Sequence, residues 1–127
     1  MFDTNVVSAL MRDPTGGISH RISGLAWPVS VSVVVAAELR YGAARKASDR
    51  LTTAVELVLS GMTIEPLASP VDVVYGRLRD QLERQGQPMD ANDLLIAAHA
   101  VVLDRTLVTA DKVFGRVEGL KSENWLA

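Results

Sequence analysis

At 127 residues, with 48% hydrophobic and 22% charged side chains, the chain has the size and composition of one globular domain with one real core. It has no cysteine, which excludes disulfide staples, thiolate metal sites and a cysteine nucleophile, and fits a reducing cytoplasm. The net charge of −2 argues against holding nucleic acid by bulk attraction, no apolar run approaches the roughly 18 residues of a membrane helix, and the N-terminus lacks the basic and apolar regions of a secretion signal.

Short β-branched runs alternate with longer amphipathic stretches rich in Ala and Leu, the pattern of an α/β domain with a mainly parallel sheet. Met1 and Phe2 read as a very short first strand. Residues 4–11 follow as a helix, closed by Asp13-Pro14-Thr15-Gly16-Gly17, and a second helix is predicted over 18–25. Residues 29–33 read as a strand. Near Val34 the pattern changes to a helix that runs through Glu38 to about Lys46, and another covers 49–60. A short strand at 62–66 precedes a long helix from Ser69-Pro70 to about Gln85, with Pro70 at a tolerated early position. After a Gly86-Gln87-Pro88 turn, residues 90–103 form a helix with Leu94, Leu95, Ala98, Val101 and Val102 on its apolar face. A buried strand at 106–109, a short helix at 112–116 and a last strand at 124–126 complete the domain.

Four acids stand where strands end or helices begin: Asp3, Glu38, Asp93 and Asp111. In open parallel sheets ligands bind beyond the carboxyl ends of the strands, and the helix N-termini of βα units lie at that same edge. All four can therefore face one crevice. Two carboxylates about 4 Å apart repel by about 4 kcal/mol at an effective dielectric of 20, so such a cluster must hold protons or a cation. With hard oxygen donors and no cluster of Cys or His, Mg²⁺ or Mn²⁺ is the natural ion, and a second ion can arrive with a substrate phosphate. Each acid also has a plainer use. Asp3 suits an N-cap, Glu38 a surface ion pair, Asp93 the dipole of its helix, and Asp111 a turn. Asp90 reads as an N-cap and His99 as a packing or hydrogen-bonding residue. His20 reads as exposed, and Trp27 and Trp125 as packed at element ends. Gly16-Gly17 lacks the GK[ST] ending of a phosphate loop.

At these residues the sequence resembles the PIN domains, specifically the VapC-type toxins of bacterial toxin–antitoxin pairs. The likeness lies in Asp3-Thr4-Asn5 with Val6-Val7-Ser8, in Ala37-Glu38-Leu39-Arg40-Tyr41-Gly42, in the run from Asn92 and Asp93 to His99 and Ala100, and in Thr109-Ala110-Asp111 with the residues up to Trp125. It implies a single PIN domain over 1–127, a three-layer sandwich with a central five-stranded parallel sheet flanked by helices. It further implies a cytoplasmic endoribonuclease dependent on Mg²⁺ or Mn²⁺, with Asp3, Glu38, Asp93 and Asp111 as catalytic and metal-holding acids and Asn5 and Thr109 as supporting polar residues. The implied partners are a structured RNA (tRNA, rRNA or mRNA), a cognate VapB-type antitoxin and a second copy of the chain, with no membrane. Val35 stands where such proteins often carry Thr or Ser, so the helix bearing Glu38 is expected to be capped differently. The rival readings are a silent PIN-like interaction module and an aspartyl-phosphate phosphoryl-transfer domain. The second is poorly served by Asp3-Thr4-Asn5, which lacks a further acid two residues on.

Overall fold

Two parallel ladders meet across the first residues of the chain, in a computed structural model that describes residues 1–126. The elements are α1 (Thr4–Arg12), α2 (Gly17–Ser23), β1 (Ser30–Ser32), α3 (Val33–Lys46), α4 (Asp49–Ser60), β2 (Thr63–Glu65), α5 (Val71–Arg84), α6 (Ala91–Val102), β3 (Leu107–Val108), a 3-10 turn (Lys112–Arg116) and β4 (Ser122–Glu123). Helix starts are set by short polar side chains that satisfy otherwise orphaned N–H groups. Ser32 accepts from Val34 N at 3.1 Å, Ser48 from Leu51 N at 3.1 Å and Asp90 from Asn92 N at 3.1 Å. Ser32 is the different cap that the helix bearing Glu38 was expected to need.

β1 pairs with β2 from Ser30 opposite Thr63 to Ser32 opposite Glu65, and β3 pairs with β4 at Leu107 opposite Ser122 and Val108 opposite Glu123. Phe2 lies between the ladders. Its N–H donates to the Ser30 carbonyl at 2.8 Å, while Val108 N–H reaches the Met1 carbonyl at 2.8 Å and Asp3 N–H reaches the Val108 carbonyl at 2.9 Å. Among the described residues there is thus no continuous five-stranded ladder of the kind the resemblance implies. Strands of two or three residues leave two short ladders, with a one-residue bridge from Phe2 to Val108.

Three other expectations shift. The last strand lies at Ser122–Glu123 rather than at 124–126. Gly119, at φ +83, turns the chain early enough that the Lys121 carbonyl already accepts from Leu107 N at 2.8 Å. Residues 124–126 instead make a local turn, with Leu126 N–H on Asn124 Oδ1. Trp27 is 81% exposed instead of packed, whereas Trp125 does pack, with its ring 5.3 Å from Phe2 in an edge contact and Arg21 4.4 Å from its centroid. The apolar face of α6 is wider than expected. Ile96, Ala97, Ala98, His99 and Ala100 are all buried, because α5, α3 and β1 each pack against this helix and its alanines allow close approach. Among the described residues no helix is long and apolar enough to cross a membrane.

Phe2 is 1% exposed and joins both ladders, so Phe2→Ala should lower unfolding free energy by about 3–5 kcal/mol, while Trp27→Ala should change it by less than about 0.5 kcal/mol. Urea titration of the two variants checks the contrast.

Candidate active site

Parallel pairing puts the ends of the Phe2 bridge, β1 and β3 at one edge, and Asp3, the start of α3 and Thr109 follow directly from them. Asp3 is the most constrained group there, 4% exposed. Its Oδ1 accepts from Thr4 N at 2.8 Å, and its Oδ2 accepts from Asn5 Nδ2 at 2.9 Å and Thr109 Oγ1 at 2.8 Å. Burial pushes its pKa up; these donors pull the other way, and the charge of Asp111 adds to the rise. Asn5 and Thr109 are themselves fixed: Asn5 Oδ1 accepts from Ala110 N at 3.1 Å and Thr109 Oγ1 from Asp111 N at 3.1 Å. Asp3 is therefore both the N-cap of α1 and a wall of the crevice.

Asp93 sits half-buried in the first turn of α6. Its pKa is raised from 3.8 to about 6, first by burial and then by the charges of Asp3, Asp90, Asp111 and Glu38. The other three predicted acids all act on this carboxylate, so the fold does bring the set within electrostatic reach. Glu38 is half-buried on α3, between buried Ala36 and Leu39, although neighbouring Ala37 is exposed. Asp111 is exposed and caps the 3-10 turn, accepting from Val113 N at 3.0 Å. Among the described residues no three acidic or histidine side chains close into a ready cage for an ion. The acids lie within electrostatic reach of Asp93 without the tight gathering expected of them.

The sequence reading passed over two contacts. Thr4 Oγ1 donates to Glu38 Oε1 at 2.7 Å, across 34 positions of chain. Ser32 Oγ, besides capping α3, lies 2.8 Å from His99 Nδ1 on α6. Burial is the chief cause that lowers the His99 pKa, and the ring ties α3 to α6 as the expected hydrogen-bonding residue. A Thr following the first acid and a Ser ending a strand were the available signals, and neither names its partner. His20 is exposed as expected.

Of the basic residues, Arg40, Arg79, Arg84, Arg105 and Lys121 are engaged in ion pairs with Glu56, Glu83, Asp80, Glu65 and Asp104. Lys112 and Arg116 follow Asp111 on the 3-10 turn, and Arg116 donates to the Pro88 carbonyl at 3.2 Å, tying that turn to the approach of α6. A hollow of about 430 Å³ beside the crevice is lined by Val33, Val34, Ala37, Glu38, Tyr41, Asn92 and Leu95. A larger cavity of about 760 Å³ reaches Ser30, Thr63 and Thr106 at the opposite ends of the strands; it contains none of the four acids, and Arg105 and Glu65 in its wall neutralise each other.

The chain belongs to the PIN domain family, whose domain matches residues 1–120. It is 34% identical to ribonuclease VapC2 of Rickettsia felis, over 98% of this chain and 96% of that protein. It is 28% identical to the tRNA(fMet)-specific endonuclease VapC of Shigella flexneri, again over 98% of this chain and 96% of that one. The fold superposes on the crystal structure of VapBC2 from Rickettsia felis bound to a DNA fragment from their promoter, with a TM-score of 0.93 and 31% identity over 98% of this chain and 97% of that one.

Because Asp3 and Asp93 both have raised values, the folded chain binds more protons than the unfolded chain between 3.8 and, for Asp93, about pH 6. In EDTA its stability should fall as pH rises through that window. Urea midpoints from pH 4 to pH 7 should show a shallower fall for Asp93→Asn, and an unchanged slope would contradict the raised Asp93 value.

Proposed function

We propose that this chain is a metal-dependent endoribonuclease, the toxin of a toxin–antitoxin pair. The observation that carries the reading is the buried Asp3 carboxylate, held by Thr4, Asn5 and Thr109 at the sheet edge, with Asp93 in the first turn of α6 pushed to about 6 by burial and by neighbouring acids, Asp3 among them. The donor set fits a hard divalent ion. Every candidate ligand is a carboxylate oxygen, cysteine is absent, and His99 is occupied by Ser32. Asp3 and Asp93 would hold Mg²⁺ or Mn²⁺ as principal ligands, with Glu38 and Asp111 assisting directly or through water. An ion there would lower the pKa of the attacking water and offset charge on the oxygens of the scissile phosphate.

The chain's own residues supply the rest. Asn5 and Thr109 hold Asp3 in one orientation, so its carboxylate is set before a ligand arrives. Lys112 and Arg116 steady the phosphate backbone beside Asp111. The apolar hollow next to Glu38, with Tyr41 in its wall, suits an unstacked base of a loop or single strand. The substrate is a structured RNA; the endonuclease activity named for the Shigella flexneri relative supports a tRNA, within a class that also takes in rRNA and mRNA. Likeness to the VapBC2 structure supports a VapB-type antitoxin as the inhibitory partner, acting on a homodimer of this chain.

Asp93→Asn should stay folded and lose RNA cleavage by at least about 100-fold in Mg²⁺ or Mn²⁺. Cleavage of a tRNA transcript, followed on a gel alongside calorimetric ion binding, checks this. A folded variant that cuts as fast as the parent chain would sink the nuclease reading, and a parent chain that binds no divalent ion would leave a silent PIN fold.

A further inference from the structure

Thr4 is the first residue of α1 and the only residue whose two donors reach two different acids of the crevice, among the described residues. Its backbone N–H donates to Asp3 Oδ1 at 2.8 Å, and its hydroxyl donates to Glu38 Oε1 at 2.7 Å. The first contact belongs to the helix cap, and any residue but proline would supply it. The second needs a hydroxyl. It spans two elements, because Asp3 precedes α1 while Glu38 is carried by α3. It occupies one oxygen of Glu38, and Oε2 takes no protein donor among the described residues.

We infer that Thr4 is a positioning residue: its hydroxyl fixes the rotamer of Glu38 and its separation from Asp3, presenting Oε2 to the crevice. Two like charges left to themselves move apart, and a long Glu side chain has rotamers that carry it to solvent. A hydroxyl donor between the two acids opposes both tendencies without adding a charge that would compete with a cation. A partner of this kind, one bond removed from a ligand, typically changes ion affinity about 10- to 100-fold. The inference rests on the proposed ion site, and it adds that the hydroxyl at position 4 sets the strength of that site.

The experiment compares Thr4→Val, which keeps the shape and removes the hydroxyl, with Thr4→Ser, which keeps the hydroxyl. Mn²⁺ affinity is measured by calorimetry, and kcat and KM for a tRNA transcript are measured across Mn²⁺ concentrations. Thr4→Val should bind Mn²⁺ about 10-fold more weakly and recover part of its kcat at high Mn²⁺ with little change in KM. Thr4→Ser should stay near the parent chain. In a Glu38→Ala background, Thr4→Val should cost no further affinity, since the group it positions has gone. Unchanged Mn²⁺ affinity in Thr4→Val overturns the inference while leaving the nuclease reading intact. An equal loss in Thr4→Ser, or an additive loss in the double variant, overturns it too, because packing or folding would then be the cause. A parent chain that binds no Mn²⁺ ends both readings.

Discussion

A carboxylate that is 4% exposed has lost nearly all its water, and the fold must replace that water or keep the group protonated. At Asp3 the replacement comes from Thr4, Asn5 and Thr109, two residues beside it in sequence and one more than a hundred positions away. This knot can form only if the two ends of the domain meet. Phe2 makes them meet, by bridging to Val108 and donating to Ser30, so the contact that closes the sheet also builds the crevice. Sheet and site are one construction here. A defect in the first three residues would be felt at Thr109 and Asp111 as a loss of alignment, and at the start of α1, which Asp3 caps.

The surrounding acids work against that construction. Asp93 is raised to about 6 with no hydrogen-bond donor among the causes, so its ionised form is tolerated rather than welcomed. Buried or half-buried charges without partners lower stability, and proteins retain them where another need outweighs the loss. The hydroxyl contacts at the crevice reduce the penalty while leaving the overall charge negative. Thr109 serves Asp3 in this way and Thr4 serves Glu38.

Much of this was legible in the sequence because it is local. The helix at 49–60 was placed to the residue, since Ser48 caps it and Gly61 ends it. Asp90 read as a cap and acts as one. The reach of the other acids' charge to Asp93 agrees with a rule about strand ends that needs only the order of elements, while their tight gathering, also expected, is not seen among the described residues. What escaped depends on contacts across the chain. Thr4 carries no mark of Glu38, nor Ser32 of His99, because a hydroxyl's partner is decided by packing. The strand at 122–123 was misplaced by two residues because Trp125 and Leu126 look more strand-like than Ser122 and Glu123. The register is fixed instead by the turn at Gly119. The breadth of burial on α6 also escaped, since alanines mark a helix without saying how many neighbours press on it.

The neutral tie between Ser32 and His99 bears on the charge balance. It fastens α3, which carries Glu38, to α6, which carries Asp93, so the two acids keep their relation while the helices stay packed. A protonated imidazole would fasten them as well, but it would place a positive charge behind the crevice. Burial holds His99 below its ordinary value, which works against that charge. The causes acting on Asp93 are accordingly burial and four acids, with no cation among them. Among these causes nothing lowers the value, so the field at Asp93 stands unopposed by any positive side chain of the described residues that acts on it. On the proposed reading, a divalent ion answers that electrostatic demand.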